Sequence, residues 1–361
     1  MMKRKKLIGI VGGGGTGPEL IKVAKRILDK VAPDFEYTLF DNDKWYSIAS
    51  TRDAYSKSFL EELTRFYSGV QKKEGIVIRG ALPATTLYKL REKIGQTTKF
   101  TPIYPLSELS DLTSFSKDEL AKTDILLARE ILHGEYHSET YEKDGKVYQI
   151  IEHDPRSLDT FAKMCFEVAH KRAVQKSTQG YLHLMIKDKT LGSVGKIWRD
   201  AFYKASKDYS DVRLGHFYPG VCEIMDNISF LKQEEGPIDV IACPDNVGDT
   251  LMDDASTVLH GSSCLTPSGN FSSDGFASYQ TIHGAITTKT GKDEVNPIGM
   301  VHAVAMALDY SYGMLSESQA IKNAVRMVLG EGYRTRDIYR KNSGKTLVGT
   351  EELSGRIIQN L

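Results

Sequence analysis

Short apolar runs alternate with amphipathic helical patterns along most of this chain. The first run, Leu7–Val11, precedes a glycine-rich loop and a helical pattern that begins at Pro18 and continues to about Val31. Proline suits the first turn of a helix, where its missing amide hydrogen costs nothing. Further strands are predicted at residues 75–78, 124–128, 181–186 and 239–242, each beside a helical stretch. This alternation predicts an α/β fold.

A different pattern occurs near residue 145. The turn signal Asp144-Gly145 precedes an alternating segment at residues 147–151, which is typical of a β-hairpin arm rather than a parallel βαβ unit. No internal repeat or flexible linker divides the chain. Two domains, if present, would therefore share crossing segments.

Composition narrows the class of protein. The chain has 361 residues, 40% hydrophobic and 26% charged, with a formal net charge of zero. Such a balance is that of a globular protein, and it provides no overall field for nucleic acid or an anionic membrane. The basic run at residues 3–6 precedes an apolar run too short for a signal peptide, and no apolar stretch is long enough to span a bilayer. Because the four cysteines are scattered, we expect reduced thiols, no zinc site and a cytoplasmic location.

Two aspartates one helical turn apart are the first candidate for chemistry. Asp249 and Asp253 would lie on the same face of a helix, where like charges repel unless a cation lies between them. Mg²⁺ or Mn²⁺ suits such a pair, because these ions bind carboxylates and leave positions for water and substrate oxygens. A solvated surface pair is the alternative interpretation.

The glycine loop offers a second candidate. Gly12, Gly14 and Gly17 match a Gly-x-Gly-x-x-Gly dinucleotide motif between a strand and a helix, with Asp41 as the ribose acid. Four consecutive glycines make such a match easy to obtain, however, and Glu19 would disfavour a pyrophosphate at the helix start. The loop therefore indicates close backbone approach more than phosphate binding.

Several segments together resemble the isocitrate and isopropylmalate dehydrogenases, which are metal-dependent decarboxylating hydroxyacid dehydrogenases. The similarity covers essentially the whole chain and rests on motifs in the family's order: Gly15-Thr16-Gly17-Pro18-Glu19, Leu90-Arg91, Ala128-Arg129-Glu130, Tyr136, Asp188-Lys189, Trp198-Arg199, Gly248-Asp249 with Asp253, His283-Gly284 and Asn296-Pro297-Ile298-Gly299.

The resemblance implies a fold distinct from the Rossmann type. Residues 1–105 and 255–361 would form a large cofactor-binding α/β domain, and residues 106–254 a smaller α/β dimerisation domain, with the active site in the cleft. It also implies a homodimer, because the family's lysine and one metal aspartate come from the other subunit.

The resemblance also implies roles for individual residues. Asp249 and Asp253 would hold Mg²⁺ or Mn²⁺, and Lys189 would take the substrate hydroxyl proton through ordered water. Tyr136 would return a proton to carbon after loss of CO₂. Arg91 and Arg129 would bind carboxylates. A solvated surface charge is the alternative for Lys189, and surface or structural roles are the alternatives for Tyr136 and Arg91.

The chain departs from the family at several places. A third substrate arginine is replaced by Tyr104, so either Lys99 supplies that cation or no residue does. The other metal aspartate falls on Gly220 by strict spacing, but on Asp226 when counted back from the following strand, and Asp226 is the preferred candidate. The opening loop has Gly14 where the family has aspartate.

Two positions on the helix before Arg91 indicate different substrates. Thr85 falls where isocitrate enzymes present a hydroxyl to the distal carboxylate. Leu87 falls where those enzymes have asparagine, and it would suit an alkyl group. Isocitrate is the first expectation; isopropylmalate, homoisocitrate or another 3-substituted malate is the alternative.

The cofactor is expected to be NADP or NAD, with NADP preferred. The family's NAD-type aspartate is Thr288 here, followed by Lys289, so no acid would repel a 2′-phosphate. The other candidate cofactor contacts are His283, Gly284, Asn296, Arg336 and Arg340.

Together these features predict an NAD(P)-linked, metal-dependent enzyme acting on a small anionic hydroxy acid, with no nucleic-acid or membrane partner. Two alternatives remain: a catalytically silent regulatory or binding homologue, and a metal-independent Rossmann dehydrogenase.

Overall fold

The chain forms two compact units in a computed structural model that describes residues 6–45, 56–218 and 238–361. The first unit comprises Met1–Gly95, Pro105–Lys122 and Ser256–Leu361, and the second comprises Gln96–Tyr104 and Thr123–Ala255. Each unit is therefore assembled from segments that are distant in sequence.

Parallel strands dominate the sheet of the first unit. The strand order is β2-β1-β3-β12-β11, and only the β11–β12 pair is antiparallel among these neighbours. All five residues of β1 are buried, as expected for a strand covered on both faces. The bounds are β1 Leu7–Val11, β2 Glu36–Leu39, β3 Ile76–Arg79, β11 Pro267–Ser272 and β12 Ala277–Thr281, with a separate pair β13 Tyr333–Arg334 and β14 Thr346–Leu347.

Helices surround this sheet. The helix Ile298–Tyr312 is buried on almost every side and packs on β11, β12 and α1, so it forms part of the core. The helices are α1 Gly17–Val31, α2 Asn42–Trp45, α3 Lys57–Lys72, α4 Ala84–Ile94, α5 Lys117–Lys122, α9 Ile298–Tyr312, α10 Leu315–Gly330 and α11 Thr350–Gln359.

The second unit has its own strands in the order β4-β5-β10-β8-β9. Strand β4 is antiparallel to β5, and the remaining neighbours are parallel. Parallel neighbours bring their carboxyl ends to one edge, where ligands commonly bind. The bounds are β4 Gln96–Ile103, β5 Ile125–Glu130, β8 Gly180–Met185, β9 Val212–Tyr218 and β10 Val240–Cys243, with α6 Pro155–Lys176, α7 Ser193–Ser206 and α8 Asp245–His260.

The hairpin predicted near residue 145 is present as β6 Glu139–Lys143 and β7 Lys146–Ile150. Asp144 and Gly145 both have positive φ angles, 53° and 70°. Such a two-residue turn matches the right-handed twist of the flanking strands. The arm is exposed along its whole length.

The chain crosses between units near residues 96 and 105. Strand β4 groups with the second unit because it pairs with β5. The segment Pro105–Lys122 groups with the first unit, where Arg334 Nη2 donates to the Glu108 carbonyl at 2.8 Å.

No helix within the described residues is long and apolar enough to cross a membrane. Cys165, Cys243 and Cys264 are free thiols. Cys222 lies outside the described residues.

Candidate active site

Arg129 is the centre of a cluster of polar residues in the second unit. It lies near the end of β5, opposite Cys243 at the end of the parallel strand β10, and is 4% exposed. Its Nε donates to Asp245 Oδ1 and its Nη1 donates to Asp249 Oδ1, both by short contacts. Helix α8 begins at Asp245, so its first two turns bring both carboxylates to the arginine.

Gly248 makes room for this arginine. A Cβ built on Gly248 would lie 3.0 Å from Arg129 Cδ and 2.6 Å from Cys243 Sγ. Contacts this short would force the arginine stem or the helix to move. The glycine in the Gly248-Asp249 motif thus has a steric role between strand and helix.

Tyr136 joins the same cluster from the loop after β5. Its Oη donates to Asp249 Oδ2 at 3.3 Å. The residue lies in a short 3-10 helix, Glu135–His137, preceded by Gly134 with φ 105° and ψ −165°. That conformation is essentially restricted to glycine, so Gly134 allows the turn that positions the tyrosine.

Glu130 holds the first part of that loop. It is 2% exposed, and its carboxylate accepts hydrogen bonds from the backbone amides of Leu132 and His133 at 3.1 and 3.0 Å. Its hydrogen bond with the His133 ring raises the pKa of that histidine. The acid next to Arg129 therefore has a positioning role.

The two aspartates of the predicted metal pair have opposite pKa shifts. Burial alone would raise the pKa of Asp249, but the charges of Arg129 and Lys99 hold it below its ordinary value. The pKa of Asp253 is raised, first because it is partly shielded from water and then because Asp249 is negative. The negative charge of Asp253 is thus less well balanced by nearby positive charge than that of Asp249, as expected at a position suited to a further cation.

The donor chemistry of this pair fits a divalent cation. Asp249 and Asp253 present carboxylate oxygens on one helical face, which Mg²⁺ and Mn²⁺ favour. Among the described residues, no group of three histidine, cysteine, aspartate or glutamate side chains is arranged to hold a metal. The third candidate, Asp226, lies outside the described residues.

Lys189 lies in the turn after β8 and is exposed. The adjacent Asp188 pairs with Arg199 of α7 through a 2.7 Å contact, and a Cβ on Gly195 would lie 1.9 Å from the Asp188 carbonyl oxygen. Helix α7 is therefore packed closely against the turn. The ion pair thus joins the Asp188-Lys189 and Trp198-Arg199 motifs in space.

A cavity of about 520 Å³ lies in the second unit beside these segments. Its walls include Gly134 and Glu135, which precede the tyrosine, and Lys187 and Leu191, which flank Lys189. The loop of Tyr136 and the turn of Lys189 thus border one space.

The remaining candidate substrate residues lie on or near α4 and β4. Thr85 is exposed in the first turn of α4, Leu87 is partly buried, and Arg91 is 2% exposed with its Nη2 3.5 Å from Asn270 Oδ1. Tyr104, 8% exposed, directly follows β4 in the second unit.

Backbone from other segments of the chain packs against the glycine loop after β1. Gly14 forms an isolated antiparallel bridge with Ala81, and a Cβ on Gly15 would lie 2.0 Å from the Ala285 carbonyl oxygen. Glu19 accepts a hydrogen bond from the Gly291 amide. The close backbone approach predicted for this loop is to other loops of the first unit.

One of those loops carries three candidate cofactor residues. His283 donates through Nδ1 to the Gly284 carbonyl oxygen, 2.8 Å away, and burial lowers its pKa. Ile286 adopts a left-handed conformation with φ 46°, and Lys289 ends the short 3-10 helix that follows. A β-branched residue in that conformation is strained, so surrounding contacts hold the loop in place.

Asn296 is 1% exposed and belongs to a polar network. Its Oδ1 accepts from the Ile298 amide at 3.0 Å at the start of α9, and its Nδ2 donates to Asp337 Oδ2 at 3.2 Å. Arg336 and Arg340, on either side of Asp337, are exposed. The network thus fixes the segment that carries both arginines.

Two residues of the central cluster have contacts that sequence reasoning did not assign. Asp245 pairs with Arg129 although 116 positions separate them, and its only sequence signal is an acid at a helix start. Lys99, considered only as a substitute for the missing arginine, is 3% exposed and acts electrostatically on both Asp249 and Asp253.

An α/β fold with acidic and basic groups at the carboxyl ends of parallel strands is typical of proteins that bind and convert small molecules. The sequence model described as "Isocitrate/isopropylmalate dehydrogenase" matches residues 7–357, and the chain belongs to this family of decarboxylating hydroxyacid dehydrogenases. The predicted family, fold class and enzyme class are confirmed.

Individual relatives agree with this assignment. The chain is 27% identical to a 3-isopropylmalate dehydrogenase of Aquifex aeolicus, covering 100% of this chain and 98% of the relative. It is also 27% identical to the Helicobacter hepaticus protein of the same name, covering 99% of each. The crystal structure of isocitrate dehydrogenase from Methylococcus capsulatus has the same fold, with a TM-score of 0.76, 18% identity and 98% coverage of both chains.

Proposed function

We propose that this protein is a divalent-metal-dependent, NAD(P)-linked dehydrogenase that oxidises and decarboxylates a 3-substituted malate. The proposal rests chiefly on one observation: Arg129 and Tyr136 both hydrogen-bond to Asp249, one turn before Asp253 on α8. A carboxylate-binding cation, a proton donor and a carboxylate pair are thereby brought together. These groups are what oxidation followed by decarboxylation requires.

The residues of this chain would divide the work as follows. Arg129 and Arg91 would bind the substrate carboxylates, and Lys189 would accept the proton of the substrate hydroxyl through ordered water. The nicotinamide of NAD(P), when bound, would supply the hydride acceptor. Tyr136 Oη supplies the proton that carbon needs after CO₂ departs. Mg²⁺ or Mn²⁺ held by Asp249 and Asp253, with Asp226 as the candidate third ligand, would polarise the hydroxyl and stabilise negative charge on oxygen.

The preferred substrate within this class is 3-isopropylmalate. The curated relatives bear that name, and Leu87 provides a partly buried apolar side chain on α4. Isocitrate is the second candidate, because the exposed hydroxyl of Thr85, two positions earlier, can donate to a distal carboxylate.

NADP is the preferred cofactor. The loop of His283 and Gly284 ends at Lys289 rather than at an acid, and Arg336 and Arg340 are exposed beside the Asn296 network. Guanidinium groups suit the geometry of a 2′-phosphate.

The active unit is proposed to be a homodimer that shares its sites, with Lys189 acting in the partner's site. Mixing inactive Lys189→Met and Tyr136→Phe subunits tests this. Random exchange should restore about a quarter of wild-type activity, because half of the dimers are hybrids with one intact site. Sites confined to single chains would give no recovery.

The reaction itself is tested by following NADPH and NADH formation with Mn²⁺ across a panel of 3-substituted malates, beside Lys189→Met and Asp249→Asn. We expect metal-dependent turnover of one panel member that both substitutions abolish. Binding without turnover across the panel would instead favour the catalytically silent homologue. Turnover that survives EDTA would favour a metal-independent dehydrogenase.

A further inference from the structure

Strand β4 presents one face to the carboxylates of α8. Lys99 and Thr101 have the same parity on the strand, so their side chains point to the same side of the sheet. Thr101 Oγ1 donates to Met252 Sδ at 3.7 Å. Met252 lies between Asp249 and Asp253 on α8, so the threonine and lysine face the same part of that helix.

Lys99 is also the cross-strand neighbour of Arg129. The two residues are directly paired in the antiparallel β4–β5 register. Lys99 is 3% exposed; its charge helps to lower the pKa of Asp249 and opposes the rise in the pKa of Asp253. A lysine is almost never buried without nearby negative charge, which these carboxylates provide.

The cluster carries more negative than positive charge without Lys99. Asp245, Asp249 and Asp253 contribute three carboxylates against the one guanidinium of Arg129. Two nitrogens of that guanidinium, Nε and Nη1, already donate to Asp245 and Asp249. Arg129 therefore has limited donor capacity left for an anionic substrate.

We propose that Lys99 supplies the cation that the sequence lacks at Tyr104 and donates a hydrogen bond to a carboxylate of the bound hydroxy acid. Tyr104 has the opposite parity on the strand and follows its last residue, Ile103. The proposal rests on the proposed function for its substrate class, but the position of Lys99 beside the metal pair has a consequence that needs no turnover.

That consequence is that Lys99 should weaken binding of the metal ion and strengthen binding of the substrate. A lysine beside Asp249 and Asp253 repels a divalent cation and attracts an anion. Lys99→Met, which keeps the aliphatic stem and removes the charge, should tighten binding of Mn²⁺ alone by about threefold to tenfold and raise KM for the substrate about tenfold at saturating Mn²⁺. kcat should change much less than KM.

The experiment measures Mn²⁺ affinity by calorimetry in the absence of substrate, and KM and kcat with the best member of the 3-substituted malate panel. Lys99→Gln is a second neutral variant, and Lys99→Arg should remain near wild type in both measurements. Lys163→Gln, an exposed lysine on α6 of the same unit, is the matched control and should change neither.

Weaker or unchanged Mn²⁺ binding in both neutral variants would overturn the proposal, since a merely structural lysine would not improve metal binding when removed. The same holds if neither wild type nor variants bind Mn²⁺. A wild-type protein that turns over no panel member would defeat the proposed function, while the Mn²⁺ titration would still decide the role of Lys99.

Discussion

Gly248 of helix α8 lies against the aliphatic stem of Arg129, with only 3.0 Å between Arg129 Cδ and a Cβ built on the glycine. Gly248→Ala should therefore displace the arginine from Asp249. We expect kcat/KM to fall at least about tenfold, because small misplacements of substrate-binding groups are costly. Overpacking should also lower the free energy of unfolding by about 1–2 kcal/mol, despite the better helix propensity of alanine.

The matched control is Gly69→Ala in α3, where a Cβ would meet nothing within 4 Å. This change should stabilise the protein by about 0.5–1 kcal/mol and leave activity unchanged. Urea unfolding and steady-state kinetics measure both variants. Equal behaviour of the two alanines would contradict the steric role of Gly248.

Asp245→Asn tests the buried ion pair with Arg129. Both side chains are almost fully buried, at 4% and 0% exposed. Removing one charge from such a pair leaves the other poorly compensated, so we expect a loss of about 2–4 kcal/mol in unfolding free energy. Asp159→Asn, which breaks an exposed pair with Lys204, should cost less than about 1 kcal/mol. Chemical denaturation distinguishes the two results.

Tyr136→Phe removes the hydroxyl that donates to Asp249 at 3.3 Å. If this hydroxyl supplies the proton to carbon, kcat should fall about 10²–10⁴-fold with a much smaller change in substrate KM. Tyr141→Phe is the control, because that ring is stacked on Tyr148 in the exposed hairpin, and it should retain full activity. An unimpaired kcat for Tyr136→Phe would remove the tyrosine from the mechanism.

Arg336→Gln and Arg340→Gln test the cofactor proposal. Loss of a charge-assisted hydrogen bond to phosphate should raise KM for NADP about tenfold or more, with little change for NAD. Arg65→Gln, another exposed arginine in the first unit, should alter neither value. Initial rates with each cofactor provide the comparison, and parallel changes for both cofactors would argue against a phosphate contact.

His302 should make the stability of the first unit depend on pH. It is fully buried in α9, its Nδ1 lies 2.9 Å from the Leu265 carbonyl oxygen, and burial lowers its pKa from 6.5 to about 3. The folded protein therefore resists protonation that the unfolded chain accepts. Above about pH 6.5 the histidine is neutral in both states and does not reduce stability. Between about pH 6.5 and 3 only the unfolded chain takes up the proton, so the free energy of unfolding falls by about 1.4 kcal/mol per pH unit.

Urea unfolding between pH 8 and pH 4.5 checks this effect. His302→Asn keeps a donor near the Leu265 carbonyl but cannot titrate, so its stability should fall less steeply on acidification even if it is lower at pH 8. Equal slopes for wild type and variant would show that His302 does not contribute to acid sensitivity.

The local pattern predicted much of the secondary structure. The first strand, the first helix to Val31 and the hairpin turn at Asp144-Gly145 agree with the structure to within a residue or two. Each follows from interactions between near neighbours in sequence: apolar periodicity, proline at a helix start and residues that accept positive φ. The adjacency of Asp249 and Asp253 is of the same kind, because helical geometry alone brings them together.

Other features depended on contacts between distant segments. The glycine loop resembled a phosphate-binding turn, yet its glycines are required by backbone from Ala81 and Ala285. Likewise, nothing in the sequence near Tyr104 indicates that Lys99, five positions earlier, is on the side of the strand that faces Asp249 and Asp253. That orientation is set by the pairing of β4 with β5.

The sequence by itself determined the class of fold, the family and the residue types available for chemistry, since these depend on local periodicity and on motifs in order. Only the tertiary structure decided what those residues contact. Arg129 meets Asp249 across 120 positions because parallel pairing of β5 with β10 places the start of α8 beside the end of β5. Such pairing depends on burial and strand register over the whole unit, which no short segment specifies.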